Sequence, residues 1–220
     1  MTAEAKLRAG AADLGLTLSD VQVRQLLDYL ALIQKWNQVY NLTAVRNPDD
    51  MLAQHLLDSL AVVAPLRRQC PGAARILDVG SGAGLPGVVL AICGTDWQVD
   101  CVDTVGKKAA FIQQVGVQLG LPHLRGVHAR VENLSGPYDV ITSRAFASLP
   151  DFVTWSSAAL APGGVWMAMK GRHPEAELAA LPSTVAVFHV EPLAVPGLDA
   201  ERCIVWMRRH GGTVGSAPGP

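Results

Sequence analysis

Leu77-Asp78-Val79-Gly80-Ser81-Gly82-Ala83-Gly84-Leu85-Pro86-Gly87 closes an apolar run, Arg75-Ile76-Leu77-Asp78-Val79, with three glycines in five residues, and a second apolar run, Val88–Ile92, follows at once. Without Cβ atoms at Gly80, Gly82 and Gly84 the backbone can turn sharply and lie against a ligand. The stretch reads as strand, tight turn and helix start. Downstream, β-rich runs at 98–103, 126–131, 138–143, 165–170, 185–190 and 202–207 alternate with helical patterns at 86–93, 106–119, 149–160 and 174–181. Strands joined by helical crossovers make a doubly wound parallel α/β sheet, in which ligands bind beyond the carboxyl ends of the strands. The connection from Pro192 to Leu198 is too short for a parallel crossover, so the last of seven strands should run antiparallel.

Upstream the pattern is helical. Val23, Leu26, Leu27, Leu30 and Ile33 fall on one face of a helix running from about Ser19 to Tyr40, and Ser19 with Gln22 supplies a capping box. A second helix should open with Asn47 as N-cap and Pro48 in its first turn, then run to Pro65. Residues 1–70 are therefore expected to form a helical cap, residues 71–210 the sheet domain, and residues 211–220, rich in Gly and Pro, a disordered tail.

A seven-stranded sheet with its last strand reversed resembles the class I methyltransferase fold, whose cofactor is S-adenosylmethionine. GAGLPG (82–87) also satisfies the G-x-G-x-x-G dinucleotide fingerprint, with Asp103 about 20 residues on, as in an NAD-dependent oxidoreductase. The methyltransferase reading accommodates more residues: Asp78 ahead of the first glycine, Asp103 ending the second strand, and Pro162-Gly163-Gly164 turning into the fifth. On that reading Asp103 accepts hydrogen bonds from both ribose hydroxyls; its other possible role is to cap the next helix. Val131 would border the adenine face and Glu132 its exocyclic amine, unless Glu132 is a solvated loop acid.

With 18 Lys+Arg against 19 Asp+Glu, any nucleic-acid partner must be met by a local basic patch. Cys70, Cys93, Cys101 and Cys203 lack CxxC or zinc spacing, so no metal is expected. The first residues carry charges without a signal-like apolar run, and no stretch reaches the roughly 18 apolar residues of a membrane span. These features place the protein in the cytosol, away from membranes, and a monomer is expected.

The end of the fourth strand carries Ser143-Arg144-Ala145-Phe146, with neither the Asp/Asn-Pro-Pro-aromatic motif of adenine amino methyltransferases nor a nucleophilic Cys. NLTAVRNPDDMLAQHLLDSLAV (41–62), LDVGSGAGLPGVVLAI (77–92), VDTVGKKAAFI (102–112), SRAFASL (143–149) and MKG (169–171) together resemble the successive motifs of the RsmG (GidB) family. Thr104 and Lys108 stand where Ser and Arg are frequent, and Val88-Val89 replace a more usual Ile/Leu-Pro. The resemblance implies methylation of N7 of a guanine of 16S rRNA near the decoding site, on free rRNA or within the small ribosomal subunit. It also implies that Gly80, Leu85, Val131, Glu132 and Arg144 lie in the cofactor pocket with Asp103 on the ribose; Ser81, Gly82 and Gly84 belong to the same loop. A family member that keeps the cofactor site without turnover, as a ribosome assembly factor, is the other outcome open at this point.

Guanine N7 carries a lone pair and no proton, so alignment can replace general base catalysis. Arg144 is the candidate for positioning base or cofactor, through its planar guanidinium, although an ion pair with a nearby acid is an alternative role. Lys170, Arg172 and His173 follow the fifth strand and suit phosphate contacts. Lys107-Lys108 and Arg67-Arg68 read as solvated charge, and His55 with Asp58 as structural contacts to the cofactor loop.

Overall fold

The structure is a computed structural model describing residues 1–211; of the tail expected to be disordered, residues 212–220 lie outside the described residues. Helices α1 (Ala3–Asp13) and α2 (Asp20–Tyr40) come first, then α3 (Pro48–Met51), a π-helical stretch (Leu52–Leu57), α4 (Asp58–Leu60) and α5 (Val63–Gln69). Strand β1 (Ala74–Val79), α6 (Gly87–Cys93), β2 (Trp97–Asp103), α7 (Gly106–Gln118), β3 (Leu124–His128) and β4 (Tyr138–Arg144) follow. The chain ends in α8 (Leu149–Ser156), β5 (Leu160–Lys170), α9 (Glu175–Ala179), β6 (Val185–Leu193) and β7 (Arg202–Arg209). The seven strands lie in the order β3-β2-β1-β4-β5-β7-β6, and β7 runs antiparallel to both β5 and β6. Seven strands, parallel save for β7, match the fold class expected from the sequence, and their neighbours among solved structures are given below.

The capping box at Ser19 and Gln22 forms as expected, and Asn47 caps α3 with its side chain on the Asp49 and Asp50 amides. Two boundaries move for physical reasons. The third strand stops at His128 because its only partner, β2, ends at Asp103, the residue opposite; Val131–Asn133 then forms a 3-10 turn across the sheet edge. The helix after Asn47 widens into π geometry at Leu52–Leu57 instead of running as one α-helix. From Met51 to Val63 every residue but Gln54 is buried, so this segment packs on all sides.

Alternation along the strands sorts the core into two layers. Ile76, Val99, Val140, Met167 and Trp206 face α6, α7 and the N-terminal helices, and one continuous cluster joins them to Leu7, Tyr29, Leu56 and Phe111. Leu77, Val102, Ile141, Trp166 and Val205 face α8 on the opposite side, with Phe152 and Val153. The N-terminal helices thus share a core with the sheet.

Helix α6 approaches β1 and β2 so closely that a Cβ at Gly87 would lie 2.3 Å from Cys101 Sγ and 2.8 Å from Asp78 Oδ2. Gly87→Ala is therefore expected to destabilise by about 1–3 kcal/mol, the usual cost of overpacking, and to lower the thermal midpoint by several degrees. An unchanged midpoint in calorimetry would mean that α6 can withdraw freely from the sheet.

Candidate functional site

The loops leaving β1 and β4 meet where the sheet order reverses, the crevice in which doubly wound folds bind ligands. Three glycines of the β1 loop have positive φ, each for a different reason. At Gly80 a Cβ would strike the Phe146 ring at 2.3 Å, and at Gly84 it would strike Val88 Cγ2 at 2.5 Å. At Gly82 it would meet only the Gly80 carbonyl oxygen, 4.0 Å away, and would otherwise project into open space. Tyr29 on α2 fastens the loop to the cap by donating its hydroxyl to the Ala83 carbonyl at 2.7 Å.

Beside this loop lies a cleft of about 370 Å³, walled by Gly80, Asp103, Lys108, Val131, Glu132, Phe146 and Trp155. Asp103, only 7% exposed, accepts from the Gly82 amide through Oδ2 (3.0 Å) and from the Val105 amide through Oδ1 (2.8 Å). Lys108 Nζ stands 3.6 Å from Oδ2. Asp103 is thus joined to the glycine loop and to the entry of α7 together, and each oxygen keeps a lone pair for a ligand. Phe146 packs edge-on to Trp155 with ring centroids 5.9 Å apart, giving the cleft an aromatic wall. Ala145 and Ala147, on either side of Phe146, both adopt positive φ, a conformation costly for alanine that persists where surrounding structure imposes it.

The structure brings Gly80, Asp103, Val131 and Glu132 together around this cleft. Ser81 is buried behind the loop, and Leu85 enters the core with Gly84 packed beneath it. Arg144 lies on the other side of Ala145, where it lines a second pocket of about 380 Å³. Its Nη1 donates to Asp58 Oδ2 (2.9 Å) and to the Gln54 carbonyl (2.7 Å), the ion pair with a local acid that was its alternative role. Asp58 also accepts from Arg202 Nε at 2.9 Å, so it holds two arginines and makes none of the expected contact to the glycine loop. His55 lines the same pocket. Lys170 is turned inward, donating to Glu177 Oε2 at 2.8 Å, whereas Arg172 and His173 are exposed. Of the three groups expected on phosphate, two are therefore presented to solvent.

Trp155, Phe146 and Tyr29 were missed as site residues. Trp155 had a usable signal: it falls off the buried Phe152–Val153–Ser156 stripe of α8 and stands 39% exposed, unusual for a tryptophan away from a binding surface. Tyr29 sits within the α2 core stripe, and nothing in its spacing separates it from packing.

Beneath the loop, Asp78 is fully buried; its Oδ2 accepts from the Gly87 amide at 2.8 Å and its Oδ1 has no partner among the described residues. Burial pushes its pKa up to about 7, with Asp103 raising it further and the Gly87 amide and Arg144 opposing. His55 is pushed the other way, down to about 4, first by burial and then by the Arg144 cation, with weak opposition from the Gln54 backbone and Asp58. No cluster of metal-ligating side chains occurs among the described residues, and no helix there is long and apolar enough to cross a membrane.

The sequence profile of the GidB family, described as rRNA small subunit methyltransferase G, matches residues 22–205. The chain belongs to this family. A ribosomal RNA small subunit methyltransferase G of Methylibium petroleiphilum is 68% identical over 207 residues, covering 93% of this chain and 94% of that protein. One of Paracidovorax citrulli is 64% identical over 227 residues, covering 98% and 93%. Among solved structures, magnesium protoporphyrin IX methyltransferase of Synechocystis shares the fold at a TM-score of 0.60 and 14% identity, covering 83% of this chain and all of that one. TrmN of Thermus thermophilus does so at 0.56 and 18%, covering 72% of this chain and 53% of that one. Family membership removes the dinucleotide reading of GAGLPG.

The Asp78 shift has a defined sign. An unfolded Asp releases its proton near pH 4, whereas the buried one keeps it to about pH 7, so its contribution to stability is complete below about pH 4 and lost as pH rises through 7. Asp78→Asn, neutral throughout, should therefore gain on the wild type between about pH 4 and pH 7, by on the order of 1–4 kcal/mol. Thermal melts of both proteins across that range provide the measurement; a constant difference would mean that Asp78 is ionised in the folded protein.

Proposed function

We propose that this chain transfers a methyl group from S-adenosylmethionine to N7 of a guanine in 16S ribosomal RNA, with RNA or the small ribosomal subunit as its partner. The observation that carries the reading is the cleft at the β1–β4 crossover, walled by Gly80 and by a buried Asp103 that the Gly82 amide holds in place, in a chain of this family. The residues fit a nucleoside cofactor. Asp103 retains acceptor capacity for ribose hydroxyls, Val131, Phe146 and Trp155 offer apolar surface to a purine, and the missing Cβ of Gly82 leaves the backbone approachable.

Bound S-adenosylmethionine supplies an electrophilic methyl group on a cationic sulfur. Asp103 and the apolar surface of Val131, Phe146 and Trp155 would hold it, so that a lone pair such as that of N7 could take the carbon while sulfur kept the bonding electrons. No proton is removed, so the chain needs to supply orientation and no general base. Arg144 engages only Nη1 among the described residues, which leaves Nε and Nη2 to direct the cofactor or the base. Arg172 and His173, exposed after β5, support contact with RNA phosphate.

The reading is tested by incubating the protein with labelled S-adenosylmethionine and small ribosomal subunits from cells lacking it, then digesting the RNA to nucleosides. Label in 7-methylguanosine is expected; label in another nucleoside, or none, would overturn the reading. Two substitutions test the cleft. Asp103→Asn should weaken binding of both S-adenosylmethionine and S-adenosylhomocysteine by about 1–3 kcal/mol, since the two share the ribose. Gly82→Ala should lose more affinity than that and melt a few degrees below the wild type, because its Cβ would enter open space without meeting protein while an alanine is strained at this positive φ. Equal cofactor affinity in both variants by calorimetry would move the binding site elsewhere.

A further inference from the structure

His55 is 5% exposed, yet beyond a weak interaction with the Gln54 backbone neither ring nitrogen has a hydrogen-bond partner among the described residues. A neutral imidazole carries one N–H donor and one bare acceptor, and leaving such groups buried and unpaired is unfavourable. The ring is not sealed in the core: it lines the 380 Å³ pocket with Arg144, Asp58, Met169 and Arg202. It also sits in the π-helical stretch Leu52–Leu57, a departure from α geometry that is frequent at functional sites. The pocket adjoins the cofactor cleft directly, since Arg144 and Ala145 line one and Phe146 the other.

We propose that this pocket receives the target guanine, turned out of its RNA stack, and that His55 reads it by accepting a hydrogen bond from N1–H. The inference rests on the methyltransferase reading above. Enzymes acting on a base inside folded nucleic acid bring it into such a pocket and read its Watson–Crick edge. The chemistry of the walls selects guanine. Arg144 and Arg202 make one side rich in donors, which suits the O6 acceptor, and the bare nitrogen of His55 suits the N1–H donor. Adenine inverts both groups, turning an amino group toward the arginines and an unprotonated N1 toward His55. Arg144 and Asp58 are the charged groups facing the ring, and burial together with the Arg144 cation keeps it uncharged at neutral pH, so the acceptor nitrogen is available. Met169 adds an apolar, deformable surface for the face of the base.

His55→Ala and His55→Gln test the assignment in the full chain, Gln being able to accept a hydrogen bond where Ala cannot. Three quantities are measured: S-adenosylhomocysteine affinity by calorimetry, the thermal midpoint, and the single-turnover methylation rate on small subunits from cells lacking the protein, with both substrates saturating. The expected result for Ala is a rate lowered about tenfold to hundredfold, with cofactor affinity and midpoint close to wild type, and for Gln a partial recovery of rate. A wild-type rate in the Ala variant would overturn the proposal. So would a loss of rate accompanied by a matching loss of cofactor affinity or midpoint, which would make His55 a packing residue. If the wild type itself methylates no guanine on those subunits, the methyltransferase reading fails, and that outcome is distinct from failure of His55 alone.

Discussion

Asp58 accepts one hydrogen bond from Arg144 on β4 and another from Arg202 on β7, each at 2.9 Å, while its own side chain is 3% exposed. A carboxylate so buried is tolerable only because two guanidiniums satisfy it, and removing one partner from such an arrangement commonly costs about 3–5 kcal/mol. The cluster ties the π-helical segment to the sheet edge from two strands at once. It fixes where His55 stands, how Arg144 points, and hence the shape of the pocket between cap and sheet. The cap is thus part of the site as well as of the core.

The glycine loop answers a different constraint, the close approach of three elements. Gly80 makes room for Phe146, Gly84 for Val88, and Gly82 for nothing that the chain itself provides. Of the three, only Gly82 has its missing side chain facing open space, so packing within the chain accounts for the other two. Asp103, bonded to the amides of Gly82 and Val105, locks that open position against the start of α7. The strain at Ala145 and Ala147 has a counterpart role on the β4 side, since it holds Phe146 over Gly80.

The fold was legible because its signals are local and repeated: period-two apolar runs, helical crossovers between them, and a final connection too short to cross over. The Ser19 capping box and the Asn47-Pro48 start could be read to the residue. Helix α1 escaped because it has no apolar stripe to read. It buries Leu7, Gly10 and Ala11 alone, and Gly10 serves a close approach, its absent Cβ falling 2.7 Å from Leu57 Cδ2. Around the site, residue types and their loops were legible, but charge pairing was not. Asp58 finds its partners 86 and 144 residues away, and Lys170 looked like a phosphate ligand until Glu177, seven residues on, turned it inward.

The buried titratable groups are disposed as methylation of an unprotonated nitrogen would require. Asp78 is pushed up toward neutrality and His55 down to about 4, so both environments favour the uncharged form, and they make no hydrogen bond to each other that could relay a proton. A general base would need an acceptor poised near the working pH and in reach of a reacting proton. Asp78 meets the first condition, but it is fully buried and lines neither pocket. His55 meets neither condition as a base, yet its low pKa suits a hydrogen-bond acceptor that must stay bare beside a guanidinium. The cationic groups are instead tied down by carboxylates, Arg144 and Arg202 by Asp58, so their direction is set before any ligand arrives. Preset direction is what a reaction limited by the alignment of nucleophile, carbon and leaving group demands of a protein.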